Sequence, residues 1–203
     1  MAGRKAKIAV LVSGGGTNLQ AIIDAQKSGI IKSGEVVLVI ANKHDAYALT
    51  RAENAGIKTA SFTKKECGGQ EGFEDRLIET LDKAKIDLIV LAGFMAILSE
   101  KFTSHYEKRI INIHPSLIPS FCGAGFYGLK VHEAALAKGV KVTGATVHFV
   151  NEIPDGGEII AQKAVNVHEG DIPEKLQKRV MQQAEWKILP AAVEKISAQM
   201  ISK

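Results

Sequence analysis

The 203-residue chain is poor in cysteine, with Cys67 and Cys122 alone and no C-x-x-C pair between them. A secretory leader is missing too. The apolar run at 8–12 follows the basic stretch 4–7 but stops at Ser13-Gly14-Gly15-Gly16, too early for a signal core. Reduced thiols in a cytoplasmic protein are expected, not a disulfide framework. Aromatic residues make up 5% of the chain, too few to line a basic groove with stacking platforms. The net charge of +4 is dispersed among interleaved acids, so it implies mild attraction for small anions and no nucleic-acid partner. The longest apolar stretch, 88–98, falls well short of the roughly 20 residues of a membrane span, so no membrane partner is expected. There is no G-x-S-x-G elbow or H-E-x-x-H helix, and the histidines have no metal-ligand spacing, so no metal is expected.

What is present is ordinary for a folded domain: 46% hydrophobic and 24% charged residues. At roughly 150 residues per domain, 1–203 reads as one domain, with no internal repeat or linker. The first half alternates apolar runs with helical patterns. Strands are expected at 7–12, 36–41, 57–62, 87–92 and 109–113, with helices from Thr17 and over 46–55, 71–85 and 99–106. That alternation predicts a doubly wound, mostly parallel α/β sheet whose ligands sit beyond the carboxyl ends of its strands. Thr17 and Gln20 form a T-x-x-Q capping box at the first helix. After Pro115 comes a Gly/Pro-punctuated loop at 116–128, then a helix at 129–138. Two β runs at 141–150 and 158–167 are joined by a hairpin turn at 151–157. Asp171 and Glu174 suggest a second capping box for a long final helix, kinked or interrupted at Pro190.

Three motifs carry chemistry. Ser13-Gly14-Gly15-Gly16-Thr17-Asn18 lies between a strand and a helix, where free N–H groups and the positive helix end favour an anion. Leu19 replaces the third glycine of G-x-G-x-x-G, Asn42 stands where a dinucleotide fold ends its second strand in an acid, and no Lys-Ser/Thr pair follows. Those absences point to a single phosphate ester. Asn112 and His114 are two apart on a strand, so both side chains face one crevice. An oxyanion-holding amide beside an imidazole suits acyl or formyl transfer. Asp155-Gly156-Gly157 is also a plain hairpin signal, and gains meaning only if the hairpin carries Asp155 to His114, where a carboxylate would favour the imidazolium. His148 reads as a strand histidine that orders the site.

Together Ser13–Asn18, the run Ala92-Gly93-Phe94-Met95, the segment 112–119, Thr146-Val147-His148-Phe149-Val150 and Asp155-Gly156-Gly157 resemble the phosphoribosylglycinamide formyltransferase family over essentially the whole chain. The resemblance implies a Rossmann-like formyltransferase fold with a C-terminal antiparallel hairpin. It implies transfer of formyl from 10-formyltetrahydrofolate, as co-substrate, to the amine of glycinamide ribonucleotide in purine synthesis. By matching position, Asn112, His114 and Asp155 would be catalytic, with Asp155 raising the His114 pKa. Gly16, Thr17, Asn18, Pro115, Gln182 and Glu185 would hold the ribonucleotide. Gln70, Met95, Ala96, Ile97, Leu98, Asn151 and Ile153, with Asn112 and Asp155, would border the folate. Ala96 and Gln70 stand where relatives often carry basic residues, which would weaken the hold on the folate tail. The rival readings are a formyltetrahydrofolate deformylase, a methionyl-tRNA formyltransferase or a non-catalytic nucleotide- or folate-binding module. The first two usually carry a further domain, for which this chain has no room. Monomer and homodimer are both compatible with the sequence.

Overall fold

Strand β1 (Ala6–Val12) shows how the layers are built. Its even residues Ile8, Val10 and Val12 join one buried cluster and its odd residues Ala9 and Leu11 another, as the twofold side-chain period of a strand requires. A strand covered on both faces needs an uninterrupted apolar run, and β1 has one. The computed structural model describes residues 3–202.

From β1 the chain passes through α1 (Thr17–Lys27), β2 (Gly34–Ala41), α2 (Tyr47–Asn54) and β3 (Lys58–Ser61), then α3 (Gln70–Lys83) and β4 (Leu88–Leu91). It continues with α4 (Glu100–His105), β5 (Ile110–His114), α5 (Leu129–Lys138), β6 (Val142–Phe149) and β7 (Ile159–Asn166). It closes with α6 (Pro173–Val180), a π-helical turn (Met181–Glu185) and α7 (Trp186–Ile201). The seven strands form one sheet in the order β3-β2-β1-β4-β5-β6-β7. Strands β1 to β5 are parallel, and β6 and β7 are antiparallel additions. The doubly wound, mostly parallel class is therefore the observed one. The chain leaves β1 toward one edge and returns through β4 toward the other, so their following loops diverge and open a crevice. The backbone N–H of Met95, after β4, donates to Ser13 Oγ, after β1, at 2.8 Å and ties the crevice together.

The register of β2 slips by one residue against β1 between Ile8 and Ala9. Val37 is the extra residue, which is why Val36 faces the α1/α7 side and Leu38 the α3 side although they are two apart.

Neither capping box forms. Gly16, at φ +71°, caps α1, so Thr17 is already the first helical residue and its hydroxyl contacts Met181 Sδ at 3.7 Å. Gln20 instead donates to Asp24 and accepts from Arg51. At α6 the cap is Ile172 with Pro173 in the first turn, while Asp171 receives the guanidinium of Arg179. The break expected at Pro190 falls a turn upstream, at Met181–Glu185. Proline removes a donor and crowds the carbonyl four residues back, so the distortion appears before the ring and α7 continues through it.

Candidate active site

Asn112 and His114 end β5, and antiparallel pairing sets His148 opposite Asn112 and Thr146 opposite His114. Cross-strand partners share a face, so the Asn112 amide reaches His148 Nε2 at 3.1 Å. His148 Nδ1 lies 2.8 Å from the carbonyl of Phe149, to which it can only donate, and this holds the ring with Nε2 toward Asn112 and Asp155. The hairpin brings Asp155 into this cluster. Its Oδ2 lies 3.4 Å from His114 Nδ1, and its Oδ1 lies 3.5 Å from both His148 Nε2 and Asn112 Nδ2. Gly157 makes the approach possible, since a Cβ there would stand 1.8 Å from the carbonyl oxygen of Phe149.

The loop between β5 and α5 supplies two more contacts, both from its backbone. His114 Nε2 donates to the carbonyl of Phe121 at 2.9 Å, and the N–H of Gly123 donates to Asp155 Oδ2 at 2.9 Å. His114 is 4% exposed, and that burial lowers its pKa from the ordinary histidine value more than Asp155 and the Phe121 carbonyl raise it. Asp155 does push the imidazole upward as expected; the net rise does not occur. Burial alone would raise Asp155, but the His148 contact, the Gly123 amide and the neighbouring imidazoles together hold it below the usual carboxylate value. The resting pair is thus a neutral imidazole against an ionised carboxylate.

On one side of this cluster runs a polar trough. Gly16, Thr17 and Asn18 line its far end with Lys43 and Met181, in a cavity of about 510 Å³. A helix start leaves its first N–H groups unpaired, and the residues at the start of α1 line this cavity. Gly16 has a packing reason as well: a Cβ there would meet Ala48 Cβ at 2.6 Å. Asn18, Pro115, Gln177, Met181 and Glu185 line the stretch nearest His114. Glu185 is pushed up to about 7 by burial, against the lowering effect of the Asn18 amide that donates to it at 2.6 Å. His132 lines the same stretch, with neither ring nitrogen bonded among the described residues. Burial and the proximity of His114 pull it down to about 4.

On the other side lies an apolar slot of about 130 Å³ between Phe94, Ala96, Ile97 and Leu98 and the hairpin residues Asn151, Ile153 and Pro154. Asn112 and Asp155 close its inner end. Ile97 and Ile153 are 67% and 57% exposed, which is costly for side chains that cover nothing and natural for the walls of a binding slot. Met95 borders the trough rather than the slot. Gln70 lies just outside, donating to the carbonyl of Ile97 at 3.0 Å and so steadying one wall. Gln182 is exposed and lines neither cavity. Gln177, Met181 and Glu185 are the facing set, spaced by four, and Gln182 is one position off that face. Sequence reasoning missed Lys43, Gln177 and the two backbone contacts from the loop. A lysine just past a strand end beside a glycine loop was a signal for the first; backbone groups carry none.

The arrangement, an anion-binding loop and an apolar slot meeting at an amide, an imidazole and a carboxylate, can hold two substrates with their reacting ends together. Residues 6–193 match the formyl transferase family. The chain belongs to that family. Among formyl transferases it is similar to the phosphoribosylglycinamide formyltransferase of Escherichia coli K12, 45% identical over 92% of this chain and 84% of that one. It is also 45% identical over 194 residues to the trifunctional purine biosynthetic protein adenosine-3 of Gallus gallus. It spans 19% of that protein's length, and 61% of the chloroplastic phosphoribosylglycinamide formyltransferase of Arabidopsis thaliana. The crystal structure of phosphoribosylglycinamide formyltransferase from Brucella melitensis superposes with a TM-score of 0.87 at 42% identity, over 96% of this chain and 97% of that one.

Proposed function

We propose that this formyl transferase moves the formyl group of 10-formyltetrahydrofolate to the amine of 5-phosphoribosylglycinamide, giving formylglycinamide ribonucleotide and tetrahydrofolate in de novo purine (IMP) biosynthesis. The observation that carries the reading is the meeting of Asn112, His114 and Asp155 where the phosphate-type trough joins the apolar slot. The names and coverage of the bacterial relatives support the same substrates. The slot suits the flat pterin of the folate, with Ala96, Ile97, Leu98, Asn151 and Ile153 as walls, and Met95 and Gln70 adjoining. The trough suits the ribonucleotide, with its phosphate on Gly16, Thr17 and Asn18 near Lys43 and its sugar toward Glu185 and Pro115.

The residues divide the work. Asn112 gives up its long 3.5 Å contact with Asp155 and aims that amide hydrogen at the oxygen that becomes negative when the amine attacks the formyl carbon. His148, held by Phe149, keeps the amide in place. His114 rests neutral, so Nδ1 can take the proton leaving the attacking amine. The imidazolium then faces ionised Asp155 and can return a proton to the folate nitrogen as its bond to carbon breaks. We take 1–203 as one such domain, acting in the cytoplasm on small molecules as a monomer or homodimer. The family match and the single sheet support the domain reading. Among the described residues no helix is long and apolar enough to cross a membrane, and no cluster of three or more His, Cys, Asp or Glu could hold a metal.

The test follows 10-formyl folate consumption spectroscopically, with and without the ribonucleotide. Consumption that requires the ribonucleotide and falls about 100-fold or more in His114→Ala is expected. Consumption with water alone would make the protein a deformylase. Tight binding without turnover would make it a binding module.

A further inference from the structure

The glycine loop is anchored at its two ends and barely held between them. Ser13 accepts the Met95 N–H, and the carbonyl of Gly16 accepts the Gln20 N–H of the first turn of α1 at 2.9 Å. A Cβ added at Gly14 or Gly15 would meet no atom within 4 Å, so packing grips neither residue. Among the described residues, what holds these two is a pair of hydrogen bonds from α2. The Ala48 N–H donates to the carbonyl of Gly14 at 3.0 Å, and Arg51 Nε donates to the carbonyl of Gly15 at 2.8 Å. Ala48 and Arg51 are three apart and share a face of the helix. That face also backs Gly16, where an added Cβ would stand 3.4 Å from Arg51 Cδ.

A trans peptide points its C=O and its N–H in opposite directions. Turning the carbonyls of Gly14 and Gly15 toward α2 therefore turns the N–H groups of Gly15 and Gly16 away from it. On that other side is the trough, which Gly14, Gly15 and Gly16 line with Thr17 and Asn18, while Ala48 and Arg51 stand behind the loop. Glycine backbone adopts the flipped peptide as readily, and a flip would present a carbonyl to an anion in the trough. The contact at Gly15 decides between the two. Arg51 is itself braced for this, with Nη1 donating to Gln20 Oε1 at 3.1 Å and the guanidinium carbon 5.0 Å from the centre of the Tyr47 ring.

We infer that Arg51 is a positioning residue for the ribonucleotide: by holding the Gly15 carbonyl behind the loop, it keeps the Gly15 and Gly16 N–H groups aimed at the substrate phosphate. Its side chain acts through the loop and touches no substrate. The identity of the substrate rests on the proposed function; the hold of the loop on a phosphate does not, and inorganic phosphate probes it alone.

Two variants separate the hydrogen bond from the charge. Arg51→Gln keeps a nitrogen donor as many bonds from Cα as Arg Nε and loses the charge, whereas Arg51→Met has the same reach and no donor. In Arg51→Met, KM for the ribonucleotide should rise about tenfold or more, with kcat and KM for the formyl folate within about twofold of wild type. Arg51→Gln should bring KM back to within about threefold. Titration with inorganic phosphate, followed by nitrogen-15 NMR of the Gly15 and Gly16 amides, should saturate in wild type and in Arg51→Gln and need about tenfold more phosphate or higher in Arg51→Met. Phosphate affinity in Arg51→Met equal to wild type overturns the proposal. So does Arg51→Gln as weak as Arg51→Met, which would leave the charge alone to act, or a fall in kcat as large as the rise in KM. Glycine amides that ignore phosphate in wild type overturn it as well. Phosphate results as expected without ribonucleotide-dependent formyl transfer would leave the role of Arg51 in the loop standing and remove the proposed reaction.

Discussion

The parallel part of the sheet, β1 to β5, and the antiparallel addition, β6 and β7, contribute to the site in different ways. The parallel part supplies what strand ends and helix starts provide by themselves: a glycine loop with free N–H groups, and Asn112 and His114 side by side at the end of β5. The antiparallel part supplies what tunes them, His148 through cross-strand pairing and Asp155 through the hairpin. The first set could bind and polarise. In the proposed reaction the second supports the charge that develops on them.

Breaking the second set should therefore stop chemistry while leaving binding intact. In Asp155→Asn we expect kcat to fall about 100-fold or more with KM for the ribonucleotide within about threefold, measured by steady-state formyl transfer. Equal losses in both constants would erase the distinction between the two parts.

Damage to the parallel part should read first as lost stability. Gly16→Ala puts a Cβ 2.6 Å from Ala48 on a backbone of φ +71°, and should cost about 2–3 kcal/mol by denaturant unfolding. A loss below about 0.5 kcal/mol would show that the loop yields more easily than its packing suggests.

Glu185 sharpens the comparison through pH. Its folded pKa, about 7, lies above the unfolded value of 4.5, so between those values the native state binds more protons than the unfolded one. Stability from this group is full below about 4.5 and is lost as pH rises through 7, by about 3 kcal/mol. Chemical denaturation of wild type and Glu185→Gln across that range should show the decline in wild type and a flatter profile in the variant. Parallel profiles would mean that Glu185 does not titrate there. The smallest effect belongs to the exposed ion pair of Lys108 and Glu158, where Lys108→Ala should leave the denaturant midpoint indistinguishable from that of wild type.

The same division governs what the sequence discloses. The apolar runs of β1, β4 and β5 are local patterns, so the strands, the glycine loop and the shared face of Asn112 and His114 could be read directly. Asp155 could be named from the family resemblance, but its own Asp-Gly-Gly pattern equally marks a hairpin; its distance from His114 depends on pairing between distant segments. That Asp155 raises the His114 pKa was legible, because a partner's charge is visible in sequence; the larger opposing effect of burial was not, because the depth of burial is not visible. Gln182 lies off the cavity face and Gln177 on it, a difference not legible in the sequence because a π-helical turn interrupts the α-helical pattern there. Thr17 looked like a cap because T-x-x-Q says nothing of Gly16 turning left-handed before it.

The central claim is that burial keeps His114 neutral while Asp155 stands ready to support its charged form. Nitrogen-15 NMR of the histidine rings across a pH titration tests it, in wild type and Asp155→Asn. The account predicts neutral His114 at pH 7 with its proton on Nε2, and a pKa lower still in the variant. A protonated ring at pH 7, or a pKa unmoved by loss of the carboxylate, would contradict it.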